Sequence, residues 1–95
     1  MQGLVEVEID RILLRTLYEM IARTKGRCLL IKPKKLLKRG GLSTKPVDCA
    51  IANYFLKKLL DKGLIEVWRE TSHGIWYIIY DTSPLWKEAK KLLKS

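Results

Sequence analysis

Residues 42–65 read LSTKPVDCAIANYFLKKLLDKGLI, and this stretch decides the fold. Ser43 or Thr44 can cap a helix, and Pro46 is tolerated in its first turn, where a missing N–H costs nothing. The helix runs to about residue 62 and stops at Gly63, which enters a left-handed turn without steric penalty. On a helical wheel Ile51, Ala52, Phe55, Leu56 and Leu59 gather on one side. Ala50, Asn53, Tyr54, Lys57, Lys58 and Asp61 gather on the other. Leu64 and Ile65 then open a strand while closing the core.

Upstream, Pro33 suits the first turn of a short helix over residues 33–39, anchored by Leu36 and Leu37. Gly40 and Gly41 end it, and Leu42 follows as a buried turn residue. Cys28, Leu29, Leu30 and Ile31 fit a brief strand. A long helix precedes it over residues 8–24, with Ile9, Ile12, Leu13, Leu17, Met20 and Ile21 as its core face. Residues 1–7 read as an N-terminal arm. Downstream, residues 64–70 read as a strand with Ile65 and Val67 on one face. Turn residues 71–74 and a β-branched, aromatic run over 75–80 complete a hairpin. Trp68, Trp76, Tyr77 and Tyr80 read as core and strand-pair residues rather than base-stacking platforms. Ser83 and Pro84 open a last helix over 84–94, with Leu85, Trp86, Ala89, Leu92 and Leu93 apolar and Lys87, Lys90, Lys91 and Lys94 basic. The expected class is a single α+β domain, mainly α, without repeat or linker.

This order (helix, short strand, helix, helix, β hairpin, helix) resembles the winged helix-turn-helix family over residues 8–94. The most telling segment is Leu42 to Ile65, where the third helix ends in Leu-x-x-Lys-Gly-Leu-Ile and feeds a charged hairpin. The resemblance implies a DNA-binding domain whose third helix lies in the major groove while the wing touches the flanking backbone. That helix is longer than a minimal recognition helix, which leaves the angles of Lys45, Val47 and Asp48 to a groove open. Winged helices also serve as protein-interaction modules, so such a module in a larger assembly is the alternative reading.

The charge map favours DNA. The net charge is +9 on 95 residues, with a pI near 9.8. An excess of this size points to a polyanionic partner. From Arg23 to Val47 there is no acidic residue, yet the stretch carries nine Lys and Arg. Phosphate-contact candidates are Lys32, Lys34, Lys35, Lys38, Arg39, Ser43 and Lys58. Base-facing candidates are Thr44, Lys45, Asn53, Tyr54 and Lys57, because Asn can bind adenine through two hydrogen bonds and Lys can donate to guanine acceptors. Asn53 reads equally as a half-buried polar residue or a helix-face spacer, and Tyr54 equally as a phosphate contact through its hydroxyl or as a ring packed against Lys58. In the wing, Arg69 is a candidate for minor-groove or phosphate contact. His73 is either a wing contact or a solvated turn residue. The expected partner is double-stranded DNA, bound by a transcription regulator or a small chromosomal protein.

Other classes lack their signatures. No apolar run approaches the ~20 residues of a membrane span. Glu6, Glu8 and Asp10 stand where a signal peptide carries bases, so the expected location is cytoplasmic and nucleoid-associated. No phosphate-binding glycine loop or paired carboxylates suggest catalysis, and a nucleophile pair of Cys49 with His73 would need an exposed, activated thiol. Two Cys and one His fall short of a zinc site, so no metal or cofactor is expected. Without a separate sensor domain, no small-molecule ligand is indicated. Cys28 and Cys49 read first as buried free thiols and second as a disulfide. The latter is allowed because one Asn, one Gln and abundant Lys give a hyperthermophile, archaeal cast to the composition. Finally, Leu14, Tyr18 and Ala22 form a second stripe on the first helix. With Trp86, Ala89 and Leu93 they are candidates for a homodimer interface. The competing arrangement folds the last helix back on the first and hides both stripes within one chain.

Overall fold

The computed structural model describes residues 2–94, with side chains from Glu8 to Leu92. It is an α+β fold of four helices and a three-stranded antiparallel sheet. The order is α1 (Gln2–Arg23), β1 (Cys28–Ile31), α2 (Pro33–Arg39), α3 (Pro46–Asp61), β2 (Glu66–Thr71), β3 (Gly74–Tyr80) and α4 (Pro84–Lys94). The expected element order is the observed one. Helix α1 is already helical at Gln2, where the sequence suggested an arm; Met1 lies outside the described residues.

Two matching helix ends set the geometry between α2, α3 and the hairpin. After α2, the Gly41 N–H donates to the Lys38 carbonyl and the Leu42 N–H to the Leu37 carbonyl. After α3, the Gly63 N–H donates to Leu60 and the Leu64 N–H to Leu59. This double bond pattern needs a left-handed residue after the cap, and Gly41 (φ 72°) and Gly63 (φ 73°) supply it. The leucines thrown forward, Leu42 and Leu64, pack against the core.

Side chains from every helix and from the sheet fill that core. Leu13, Leu17 and Ile21 of α1 meet Ile31 of β1, Leu36 and Leu37 of α2, and Leu56 of α3. The sheet contributes Tyr77 and Ile79. Ile12 is partly exposed rather than core, although its side chain packs closely on Gly40 at the end of α2. Strand β3 is central and β2 lies at the sheet edge. Val67 is therefore half-exposed although it pairs with buried Tyr77, and a bulge between Val67 and Arg69 breaks the expected alternation. Trp68 and Tyr80 are exposed as well, which corrects their placement in the core. Cys28 is exposed and Cys49 half-buried, and both are free thiols.

Helix α4 lies on α1, and this arrangement corrects the placement of Trp86 and Ala89 at a subunit interface. Trp86 and Ala89 are buried within the chain. The Lys90 ammonium donates to the Ala22 carbonyl (3.2 Å) and to the Thr24 carbonyl (2.8 Å). A cation there complements the negative end of the α1 dipole. Tyr18 faces Glu88, and Leu14 is half-buried beside Phe55 and Leu59. Trp86 and Ala89 are covered within the chain, so they are not available to a second subunit. Leu93 lies outside the described side chains, and Leu92 is exposed. Ser83 starts α4: it accepts from the Leu85 N–H (3.2 Å) and donates to the Leu64 carbonyl (2.7 Å), tying α4 to the chain that leaves α3.

Burial, then the charge and hydrogen bonding of Glu88, raise the Tyr18 phenol above its ordinary value of 10.0. Burial also raises Tyr77. A group whose folded pKa is raised contributes stability below its unfolded pKa and loses it as pH climbs through the folded one. Stability should therefore decline above pH 10. Tyr18→Phe should cost about 1 kcal/mol at pH 7 and show a shallower alkaline decline. Urea titrations at neutral and alkaline pH check both expectations.

Candidate nucleic-acid interface

Helix α3 carries the central group of the candidate residues. Ala52, Phe55, Leu56 and Leu59 are buried, so the opposite face turns outward. That face carries Val47 (71% exposed), Ala50, Asn53, Tyr54 (63% exposed), Lys57 and Asp61. The base-facing candidates Asn53, Tyr54 and Lys57 thus share one exposed stripe, with exposed Thr44 and Lys45 just before it. Lys45 is the N-cap residue, and no side chain caps the helix; the Ser43 hydroxyl instead accepts from the Lys45 N–H (3.1 Å). The cap expected from Ser43 or Thr44 is displaced because Pro46 occupies the first helical position. Val47 belongs to the stripe and was not singled out as a contact; its spacing of three from Ala50 and seven from Tyr54 is the signal that places it there.

Lys58 does not share the freedom of its neighbours. Its ammonium sits 2.9 Å from the Asp10 carboxylate and 4.8 Å from the centre of the Tyr54 ring. It binds α3 to α1 and supports Tyr54, so the packing alternative for Tyr54 is the one seen. Among the described residues, only Lys58–Asp10 and Arg15–Glu19 form ion pairs. None of the nine cations between Arg23 and Val47 is neutralised in this way.

Helix α2 presents these cations on two flanks. Its core side is Pro33, Leu36 and Leu37. At about 100° per residue, Lys34 and Lys38 fall on one exposed flank and Lys35 and Arg39 on the other. The second pair lines a cleft against α1 and β1. The basic run is therefore divided, which a charge count along the chain does not reveal.

The hairpin meets the N-terminus of α2. The Lys32 ammonium lies 5.5 Å from the centre of the Trp76 ring, and its stem is next to Gly74. Arg69 pairs with Trp76 across the sheet and stacks at 5.0 Å on the ring of Trp68. Lys32, Trp76 and Arg69 thus form one row from α2 to the sheet edge. The row was not anticipated, since its members are far apart in sequence. His73 is exposed in the turn, whose geometry is held by the Thr71 hydroxyl accepting from the His73 N–H (3.2 Å) and donating to the Gly74 carbonyl (3.0 Å).

No protein-family model, curated protein or solved structure matches this chain. No described group of three or more His, Cys, Asp or Glu could hold a metal ion, and no described helix is long and apolar enough to cross a membrane.

Proposed function

We propose that the chain is a winged helix-turn-helix protein that binds double-stranded DNA, as a transcription regulator or a small nucleoid protein. The observation that carries this reading is the cationic run from Arg23 to Val47, whose members form no ion pair with a described residue, bordered by an outward stripe of Thr44, Lys45, Asn53, Tyr54 and Lys57. In this reading α3 enters the major groove. Lys34 and Lys38 neutralise phosphates beside it, and the row of Lys32 and Arg69 meets the flanking backbone. Affinity arises mainly from counterion release. Asn53 and Lys57 supply what sequence preference there is.

An electrophoretic shift with specific and random competitor duplexes tests this proposal. Lys38→Ala should weaken binding to both sequences alike. Asn53→Ala should lower discrimination at one base pair by about 1–3 kcal/mol and leave random-sequence affinity unchanged. Equal losses on both duplexes would assign Asn53 no part in base reading. A second reading, a winged-helix interaction module, is favoured by the exposed Val67, Trp68 and Tyr80 on the hairpin. Absence of any shift at low salt would favour it.

A further inference from the structure

We propose that the cleft between α1, β1 and α2 binds a small phosphorylated metabolite that also carries hydroxyl or amino donors, in the class of sugar phosphates and nucleoside monophosphates. The cleft has a volume of about 200 Å³. Arg23 lines it from the end of α1, and Lys35 and Arg39 from the second flank of α2. Three cations line it, with no carboxylate bound to any of them among the described residues. Such a group suits a dianionic phosphate, with arginine able to bind two oxygens at once.

The remaining lining narrows the ligand. Thr16 donates its hydroxyl hydrogen to the Ile12 carbonyl (2.6 Å), and Thr24 donates to the Met20 carbonyl (2.7 Å). The Thr24 hydroxyl oxygen is left as an acceptor, whereas Thr16 is buried with its hydroxyl against Gly40. Glu19 is a second acceptor, held only loosely by Arg15 at 3.6 Å. Met20 and Leu29 give the cleft an apolar part. One end of the site therefore wants negative charge, and the other wants N–H or O–H donors beside an apolar surface. A continuous phosphodiester backbone would bring charge against Glu19, whereas a sugar or nucleoside carrying one phosphate satisfies both ends. This inference stands apart from the DNA reading, because the cleft uses the flank of α2 that carries Lys35 and Arg39, not the one that carries Lys34 and Lys38.

Isothermal titration calorimetry of the full chain without DNA tests the proposal, with AMP, ribose 5-phosphate, inorganic phosphate and ribose as probes. AMP or ribose 5-phosphate should bind with a Kd below about 1 mM, inorganic phosphate at least about tenfold more weakly, and ribose without detectable heat. Arg39→Glu and Lys35→Gln should each weaken the phosphorylated probe about tenfold or more. Glu19→Gln should narrow the gap between ribose 5-phosphate and inorganic phosphate. Lys57→Glu should leave all four titrations unchanged while lowering duplex affinity. The proposal is overturned by no heat from either phosphorylated organic probe at about 10 mM, by an equal loss in Lys57→Glu, or by competitive displacement of the probe by a short duplex. A chain that binds the probe but no duplex would reject the DNA reading and leave the cleft assignment standing.

Discussion

Raising the salt from about 50 to about 200 mM should weaken duplex binding roughly 250- to 1,000-fold, the consequence of a slope of about −4 to −5 in log K against log salt. That slope follows if about four to six phosphates are neutralised, each contributing about −0.9. The cations available for this are Lys32, Lys34, Lys38, Lys45, Lys57 and Arg69. Lys58 is excluded by its bond to Asp10. Lys35 and Arg39 face the cleft instead and contribute through the general field more than through contact. Fluorescence anisotropy of a labelled duplex over that salt range gives the slope directly. A slope near zero would remove the electrostatic basis of the reading.

Trp86→Ala should destabilise the fold by about 3–5 kcal/mol, a large share of the roughly 5–15 kcal/mol that holds a domain together. The indole is buried against α1, with Lys90 5.6 Å from the ring centre. Truncating it opens a cavity beside Ala89 and loosens the cation that caps α1. For a chain of this size, Tm should fall by roughly 12 °C or more, read from thermal unfolding by circular dichroism. Duplex affinity measured well below that Tm should change little, since α4 carries none of the proposed contacts. A loss under about 1 kcal/mol would mean that α4 is not docked on α1, and would return Trp86 and Ala89 to the pool of surfaces open to a second subunit.

Much of this architecture was legible because short-range chemistry dictates it. The bounds of α2 follow from Pro33 and the Gly40–Gly41 stop, and the end of α3 from Gly63. The outward stripe of α3 follows from helical spacing, and four of its core residues, Ala52, Phe55, Leu56 and Leu59, are buried as that spacing requires. What failed depended on which element covers which. Val67 sits in an alternating apolar pattern in the sequence, but the bulge beside it and its place on an edge strand leave it half-exposed. Ile12 belongs to the apolar periodicity of α1, yet it lies at the border of the core and stays partly exposed. The second stripe of α1 was recognised as needing a cover, but periodicity alone does not say whether α4 or another copy supplies it. Within the candidate site, the charges were visible in the sequence. The partner of Lys58, the row from Lys32 to Arg69 and the cleft that Lys35 and Arg39 line were not, because each depends on tertiary placement.

The most direct test of the central claim is a titration of ¹⁵N-labelled protein with a short duplex, followed amide by amide. The account predicts shifts or broadening concentrated at residues 43–57, at Lys32 and Lys34, and at residues 69–74, with α4 and the N-terminal half of α1 unchanged. Perturbations confined to Val67, Trp68 and Tyr80, or no perturbation at low salt, would contradict it.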